Sequence, residues 1–300
     1  MGGTSFRFRT VLAAWMTCVA AAPTWASIHH SNRDPLCVQP RGADVGTALL
    51  VEYYEALPAR REGIDTEAYA ARMQAGLEKF KKRVKARYSE GTLQRLLDNP
   101  NSRTRRAAVL ALGLMGSIAS NEALAGRLHD DDPEAREHAA DALWALWFRA
   151  DSDENNQELQ RLIHLRDADK AIDGLDALVR KAPGFAEAYN QRAILYFKQK
   201  EYDKCASDCE KALQLNPQHF GAQSGLARCF MRLRKPRAAL KAFRRAYAIN
   251  PNLDGVETPS AIWKTPSGKR GARTTRSKAY LPARARQTLA VSRSAQITQA

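Results

Sequence analysis

From residue 186 onward the small and aromatic positions of the chain fall into a fixed rhythm. Taking Ala186 as position 1, Tyr189 stands at 4, Ala193 at 8, Tyr196 at 11, Cys205 at 20, Ala212 at 27 and Pro217 at 32. Thirty-four residues later Phe220 opens a second copy, with Ala227 at 8, Phe230 at 11, Ala239 at 20, Phe243 at 24, Ala246 at 27 and Pro251 at 32. A preceding copy places Ala171, Leu175, Leu178 and Pro183 at 20, 24, 27 and 32, with Asn155 and Leu159 weakening its first half. Apolar residues three and four apart in each half-copy predict two amphipathic helices, and the proline marks the way out of the second. A helix pair of this size cannot bury its own apolar face, so the stable form is a stack.

Upstream the rhythm changes. Gly46 to Leu57 and Thr66 to Tyr88 read as amphipathic helices, and Phe80, Val84 and Tyr88 recur at helical spacing inside the basic run KFKKRVKARY. That run is therefore read first as a solvated helix face, with nucleic acid as the runner-up. Residues 92–150 hold a shorter repeat whose prolines, Pro100 and Pro133, are thirty-three apart. Each copy reads as a helix, an Asp or Asn turn closed by proline, an arginine (Arg103 or Arg136) and a second helix rich in Ala and Leu. Proline is tolerated there because it opens the second helix, where its fixed φ fits. Trp144, Trp147 and Phe148 share one helix face; the expectation is that they seal the join to the following repeats rather than lie open as a docking surface.

The 34-residue pattern resembles the tetratricopeptide repeat, and the pattern in residues 92–150 resembles a short HEAT-like repeat. Together these resemblances imply an all-α fold, a right-handed α-solenoid of antiparallel helix pairs, HEAT-like and then tetratricopeptide. The helical region with two HEAT-like copies is expected over 46–150 and about three tetratricopeptide repeats over 151–254, the first of them a degenerate capping copy. In HEAT-like proteins the turn arginine, here Arg103 or Arg136, commonly pairs with a turn aspartate of a neighbouring repeat. In tetratricopeptide repeats the concave face comes from positions 2, 5, 9, 12 and 13 of the first helix. The resemblance thus points to a peptide groove lined by Asn190, Ile194, Phe197, Lys198, Ser224, Arg228, Met231 and Arg232, with Glu187 and Gly221 at position 2. Asn190 stands where chaperone-binding members carry a lysine, so capture of a terminal carboxylate is not expected. What remains is a basic and apolar groove suited to an extended peptide with acidic and apolar side chains.

Charge and composition refine this picture at the two ends. Of the net +15, Arg7 and Arg9 supply two and residues 258–300 supply nine, which leaves only +4 on residues 27–257. Residues 1–26, with two arginines, the apolar run Val11 to Ala22 and a small residue before the cut, read as a secretory signal peptide cleaved after Ala26. The run is short for a bilayer span, and a permanent N-terminal anchor is the alternative. Export to a periplasmic or extracellular location argues against nucleic acid as a partner. Residues 27–45 read as a linker, and cleavage after Ala26 would begin the mature chain Ser27-Ile28-His29, an arrangement whose nitrogens suit square-planar Cu(II). Residues 255–300, rich in Pro, Gly, Ser and arginine, are expected to be a basic disordered tail that can meet an anionic polymer or lipid surface.

Cys37, Cys205, Cys209 and Cys229 remain after such a cleavage. The repeat cysteines read either as small core residues or, for Cys209 and Cys229, as a disulfide between neighbouring repeats. No HExxH, phosphate loop, CxxC or GxSxG occurs, and the histidines are scattered. The reading is a non-catalytic scaffold needing no metal or cofactor. Its rivals are a binder of anionic envelope surfaces acting through the tail and an enzyme accessory or lyase-like protein.

Overall fold

In the computed structural model the described residues are 45–59 and 66–253. They form twelve α-helices and two single turns of 3-10 helix, with no strand among them. The first six helices are α1 (Val45–Glu55), α2 (Thr66–Lys85), α3 (Glu90–Leu96), α4 (Ser102–Met115), α5 (Asn121–Gly126) and α6 (Pro133–Trp147). Three pairs follow: α7 (Asp153–Ile163) with α8 (Ala168–Lys181), α9 (Ala186–Lys198) with α10 (Tyr202–Leu215), and α11 (Phe220–Arg232) with α12 (Pro236–Ile249). The expected signal peptide, linker and basic tail lie outside the described residues, apart from the linker's last residue.

Helix starts follow the polar residues that precede them. Asn101, Asp132, Ser152 and Asp167 each accept a backbone N–H from the first turn of α4, α6, α7 and α8, satisfying donors that the helix itself leaves unpaired. Pro133 occupies the first turn of α6, as expected. The basic run at the end of α2 divides by face: Phe80 and Val84 are buried, while Lys79, Lys82, Lys85 and, just beyond the helix, Arg87 are exposed.

The HEAT-like core lies between α4 and α6. A Cβ added to Gly113 would stand 2.7 Å from the Ala142 Cβ, so the two backbones are in direct contact there. Ala107, Ala108 and Ala111 on α4 and Ala139 and Ala142 on α6 are fully or almost fully buried, the small residues that this approach demands. The turn arginines behave differently from the expectation. Arg103 is exposed and pairs with Glu55, and Arg136 donates to the carbonyls of Asp130 and Asp131 in its own turn. The inter-repeat pairs come instead from Arg105, bidentate to Asp130 at 2.9 and 2.7 Å, and Arg106, which meets Asp132 and Glu134. Arg106 lies two turns before Gly113, on the flank of α4 that packs against α6, whereas Arg103 is in the first turn and faces outward.

In the later pairs Ala193, Cys205, Ala212, Ala227, Ala239 and Ala246 are all buried, so the positions of the 34-residue rhythm are the helix contacts it predicts. Arg192 ties three successive helices together. It is bidentate to Asp208 at 2.7 Å, bonds Asp176 at 2.6 Å and lies over the rings of Tyr189 and Tyr196. The hydrogen bonds to Asp208 raise its already high pKa, so the charge persists at any physiological pH.

Candidate functional site

The expected groove divides at the middle of α9 and α11. Its upper half, at the N-terminal ends of the two helices, is filled by α6. The Trp147 ring stacks on His219 with centroids 4.1 Å apart, and Trp144 meets His219 and Phe220 edge-on, each at 5.5 Å. Gly221 makes room for this: a Cβ there would stand 2.4 Å from the Trp144 ring. Beneath the stacked rings Glu187 and His219 are both wholly buried, and His219 Nε2 donates to Glu187 Oε2 at 2.7 Å. The donor role follows because His219 Nδ1 already accepts the Ala222 N–H. Asn190 and Gln191 side-chain amides donate to the other Glu187 oxygen. The buried carboxylate therefore has three N–H partners, which is what its removal from water requires.

Asn190 accordingly sits in the interior at 3 % exposure and does not line an open surface. Ser224 is half-buried, and its hydroxyl donates to the Gly221 carbonyl. The sealing aromatics also divide their work. Phe148 packs in the cluster of α7 and α8, the join foreseen from the sequence, whereas Trp144 and Trp147 reach the last helix pair.

The lower half remains open. Ile194 at 41 % and Met231 at 50 % are two of the four most exposed large apolar side chains among the described residues. Lys198, Arg228 and Arg232 are exposed beside them. Phe197 is half-buried, with the Arg232 guanidinium 5.9 Å from its ring centroid and the Tyr202 ring edge-on at 5.4 Å. Six of the eight expected residues, Ile194, Phe197, Lys198, Arg228, Met231 and Arg232, thus share the C-terminal ends of α9 and α11.

Two clefts fall outside the expected site. One of about 580 Å³ is lined by Glu78, Lys81, Lys82, Lys85 and Tyr88 over an apolar floor that includes Leu93 and Met115. The other, of about 660 Å³, runs between α10, α11 and α12 and carries Lys241 and Arg245 above Leu226 and Phe230. The only trace of the second in the sequence is the pair of basic residues four apart on α12.

Helix pairs stacked through small residues, with a face left open along their first helices, define an α-solenoid repeat protein. The chain carries HEAT repeats followed by tetratricopeptide repeats. The HEAT family model matches residues 57–144 and 89–179, and the tetratricopeptide model matches 186–219. The HEAT match is wider than residues 92–150 and takes in the helix pair α7 and α8, expected above as a degenerate tetratricopeptide copy. A TPR repeat-containing protein of Rhizobium etli is 32% identical over 123 residues, covering 40% of this chain and 60% of that protein. WD and tetratricopeptide repeats protein 1 of Mus musculus is 41% identical over 76 residues, 24% of this chain and 11% of that protein. The chain thus spans about 60% of the first relative and about 11% of the second. Among solved structures, YrrB, described as a TPR protein with an unusual peptide-binding site, is 16% identical, with 59% of this chain and 86% of that one covered at a TM-score of 0.31. A thermophilic TPR protein of Thermus thermophilus is 18% identical, with 72% and 95% covered at the same score of 0.31.

Proposed function

We propose that the protein is a non-catalytic interaction scaffold that holds an extended peptide with acidic and apolar side chains across the lower ends of α9 and α11. One observation carries the reading: Ile194 and Met231 are exposed where most large apolar side chains of the described residues are not, and cationic Lys198, Arg228 and Arg232 stand with them. Apolar anchors rimmed by arginine are the composition of a peptide-docking surface. Closure of the upper half by α6 shortens the platform, so a short segment is favoured over a long one. The sequence features at the two ends extend the proposal to an exported protein whose basic tail adds a salt-dependent attraction to anionic surfaces. No helix among the described residues is long and apolar enough to cross a membrane.

The test is fluorescence anisotropy against a set of short peptides that alternate Asp or Glu with Leu or Phe, and scrambled basic counterparts. The acidic set is expected to bind, and the double substitution Met231→Ala with Arg232→Ala to weaken it at least about tenfold, the scale of one hot-spot contact. Equal binding of the basic peptides, or no change in the double variant, contradicts groove capture. Loss of binding only on removal of residues 258–300 transfers the function to the tail.

A further inference from the structure

Three sulfurs meet between the last two helix pairs. Cys205 and Cys209 are one helical turn apart on α10, and Cys229 comes from α11. Their Sγ atoms all lie within 4.8 Å of one another, and the three residues are 2 %, 1 % and 0 % exposed. Cys205 and Cys229 form a disulfide with Cα atoms 6.6 Å apart, and Cys209 is a thiol. The sequence offered the pair Cys209 and Cys229; the hairpin register decides otherwise. Cys205 and Cys229 each stand twelve residues from the turn at Pro217, whereas Cys209 and Gly225 each stand eight away. Cys209 therefore faces Gly225, where an added Cβ would stand only 3.2 Å from its sulfur. The surrounding wall is apolar, from Ala193, Leu226, Ala227 and Ala242.

The charge of this pocket selects among the ions that three thiols can hold. The pocket is buried and its wall apolar, so it disfavours any complex that carries a net charge. Three thiolates around Cu(I) or Zn(II) would leave a net negative complex in an apolar core, which costs several kcal/mol per uncompensated charge. A trivalent ion with three thiolates is neutral and avoids that cost. With the Sγ atoms already within 4.8 Å of one another, small side-chain rotations after reduction bring all three within reach of one ion at the ordinary thiolate-bond length of about 2.3 Å.

We propose that Cys205, Cys209 and Cys229, once reduced, form a binding site for a thiophilic trivalent ion of the arsenite class. The step balances without net redox. A dithiol reductant first opens the Cys205–Cys229 disulfide, leaves two thiols and itself closes to a ring disulfide. Arsenous acid then reacts with the three thiols: three S–H and three As–OH bonds break, three As–S bonds form and three waters leave. The exchange releases water and no proton, whereas an ion that binds by displacing thiol protons shows a steep rise of affinity with pH.

The test uses the full chain reduced with a phosphine and titrated with sodium arsenite, read by native mass spectrometry and by counting the remaining thiols. One bound arsenic, the loss of three of the five thiols and an affinity flat between about pH 6 and pH 8 are expected. Cys209→Ala, and Cys209→Ser in case the first variant folds poorly, should weaken binding more than about 100-fold, since even outer-shell losses at metal sites reach that scale. Circular dichroism confirms that each variant is folded. The proposal fails if the reduced protein takes up no stoichiometric arsenic, if uptake survives both Cys209 variants, or if it requires Cys18 or Cys37.

Discussion

At the scale of single residues, the ionisable groups of the turn between α5 and α6 and of α6 itself pull stability in opposite directions with pH. Burial alone would raise the Asp130 carboxyl, but the Arg105 guanidinium overrides it and holds the group down to about 2. A depressed carboxylate contributes stability above its unfolded pKa, and that contribution is lost as pH falls toward 2. Asp141 behaves oppositely: burial, reinforced by Glu137, raises it to about 7. Its folded form holds a proton that the unfolded chain has released, so stability falls as pH rises from about 4 to 7 and is level above. Asp141→Asn is expected to remove that slope. Its stability gain over the parent should be about 1–2 kcal/mol larger at pH 8 than at pH 4, after discounting for the water that still reaches a half-buried group. Urea unfolding of both proteins at the two pH values measures it, and an equal difference at both would show that Asp141 is not buried in the way described.

Between helices, the turns inside the tetratricopeptide pairs carry strain that their residue types do not relieve. Lys200 and Arg234 end α9 and α11 with φ of 67° and 58°, the left-handed region in which a side chain costs about 1 kcal/mol and glycine costs nothing comparable. Lys200→Gly with Arg234→Gly is expected to raise the melting temperature by about 2–6 °C, given about 1 kcal/mol at most per site. A fall in melting temperature would mean that the Lys200 and Arg234 side chains make contacts worth more than the strain. Both positions lie fifteen residues into their repeats, so the rhythm announces where each turn falls but not that a charged residue occupies a glycine conformation.

Across the molecule, the junction around Trp147 joins the HEAT-like helices to the last helix pair. Trp147 Nε1 donates to Asn121 Oδ1 at 2.7 Å, Asn121 Nδ2 donates to Asn216 Oδ1 at 3.1 Å, and Asn252 Nδ2 donates to the Leu128 carbonyl at 3.2 Å. The same Trp147 ring stacks on His219, which pairs with the buried Glu187, so the ring stack and the polar network depend on each other. Trp147→Ala should cost about 3–5 kcal/mol, the range for removing a buried large aromatic, and should separate the unfolding of the two repeat sets. Hydrogen exchange followed by mass spectrometry reads both effects. Protection lost equally throughout, with no early opening of α11 and α12, would show that the sets do not meet through this residue.

The sequence by itself determined the helices, their pairing and the small residues at their contacts, because spacing along a helix dictates which side chains share a face and a stack of pairs repeats that spacing locally. Ala193, Ala227 and Ala239 needed no knowledge of distant partners to be read as contacts, and neither did the division of the basic run on α2. The candidate groove residues Ile194, Phe197, Met231 and Arg232 came from the resemblance to tetratricopeptide repeats, whose concave face is drawn from fixed positions of each first helix, and the structure leaves them exposed or half-buried. Only the tertiary structure decided what lies opposite those faces. Asn190 turned inward to the buried Glu187, whose partner His219 is covered by Trp147 of α6, more than forty residues away in the chain. Arg105 and Arg106 took the pairing expected of Arg103 and Arg136, because the flank of α4 that meets α6 depends on how the two helices rotate against each other. Cys205 rather than Cys209 met Cys229, because the hairpin register sets which residues stand level. A periodic pattern records the contacts of a helix with its neighbour in the chain; contacts across a long separation leave no period and appear only when the stack closes.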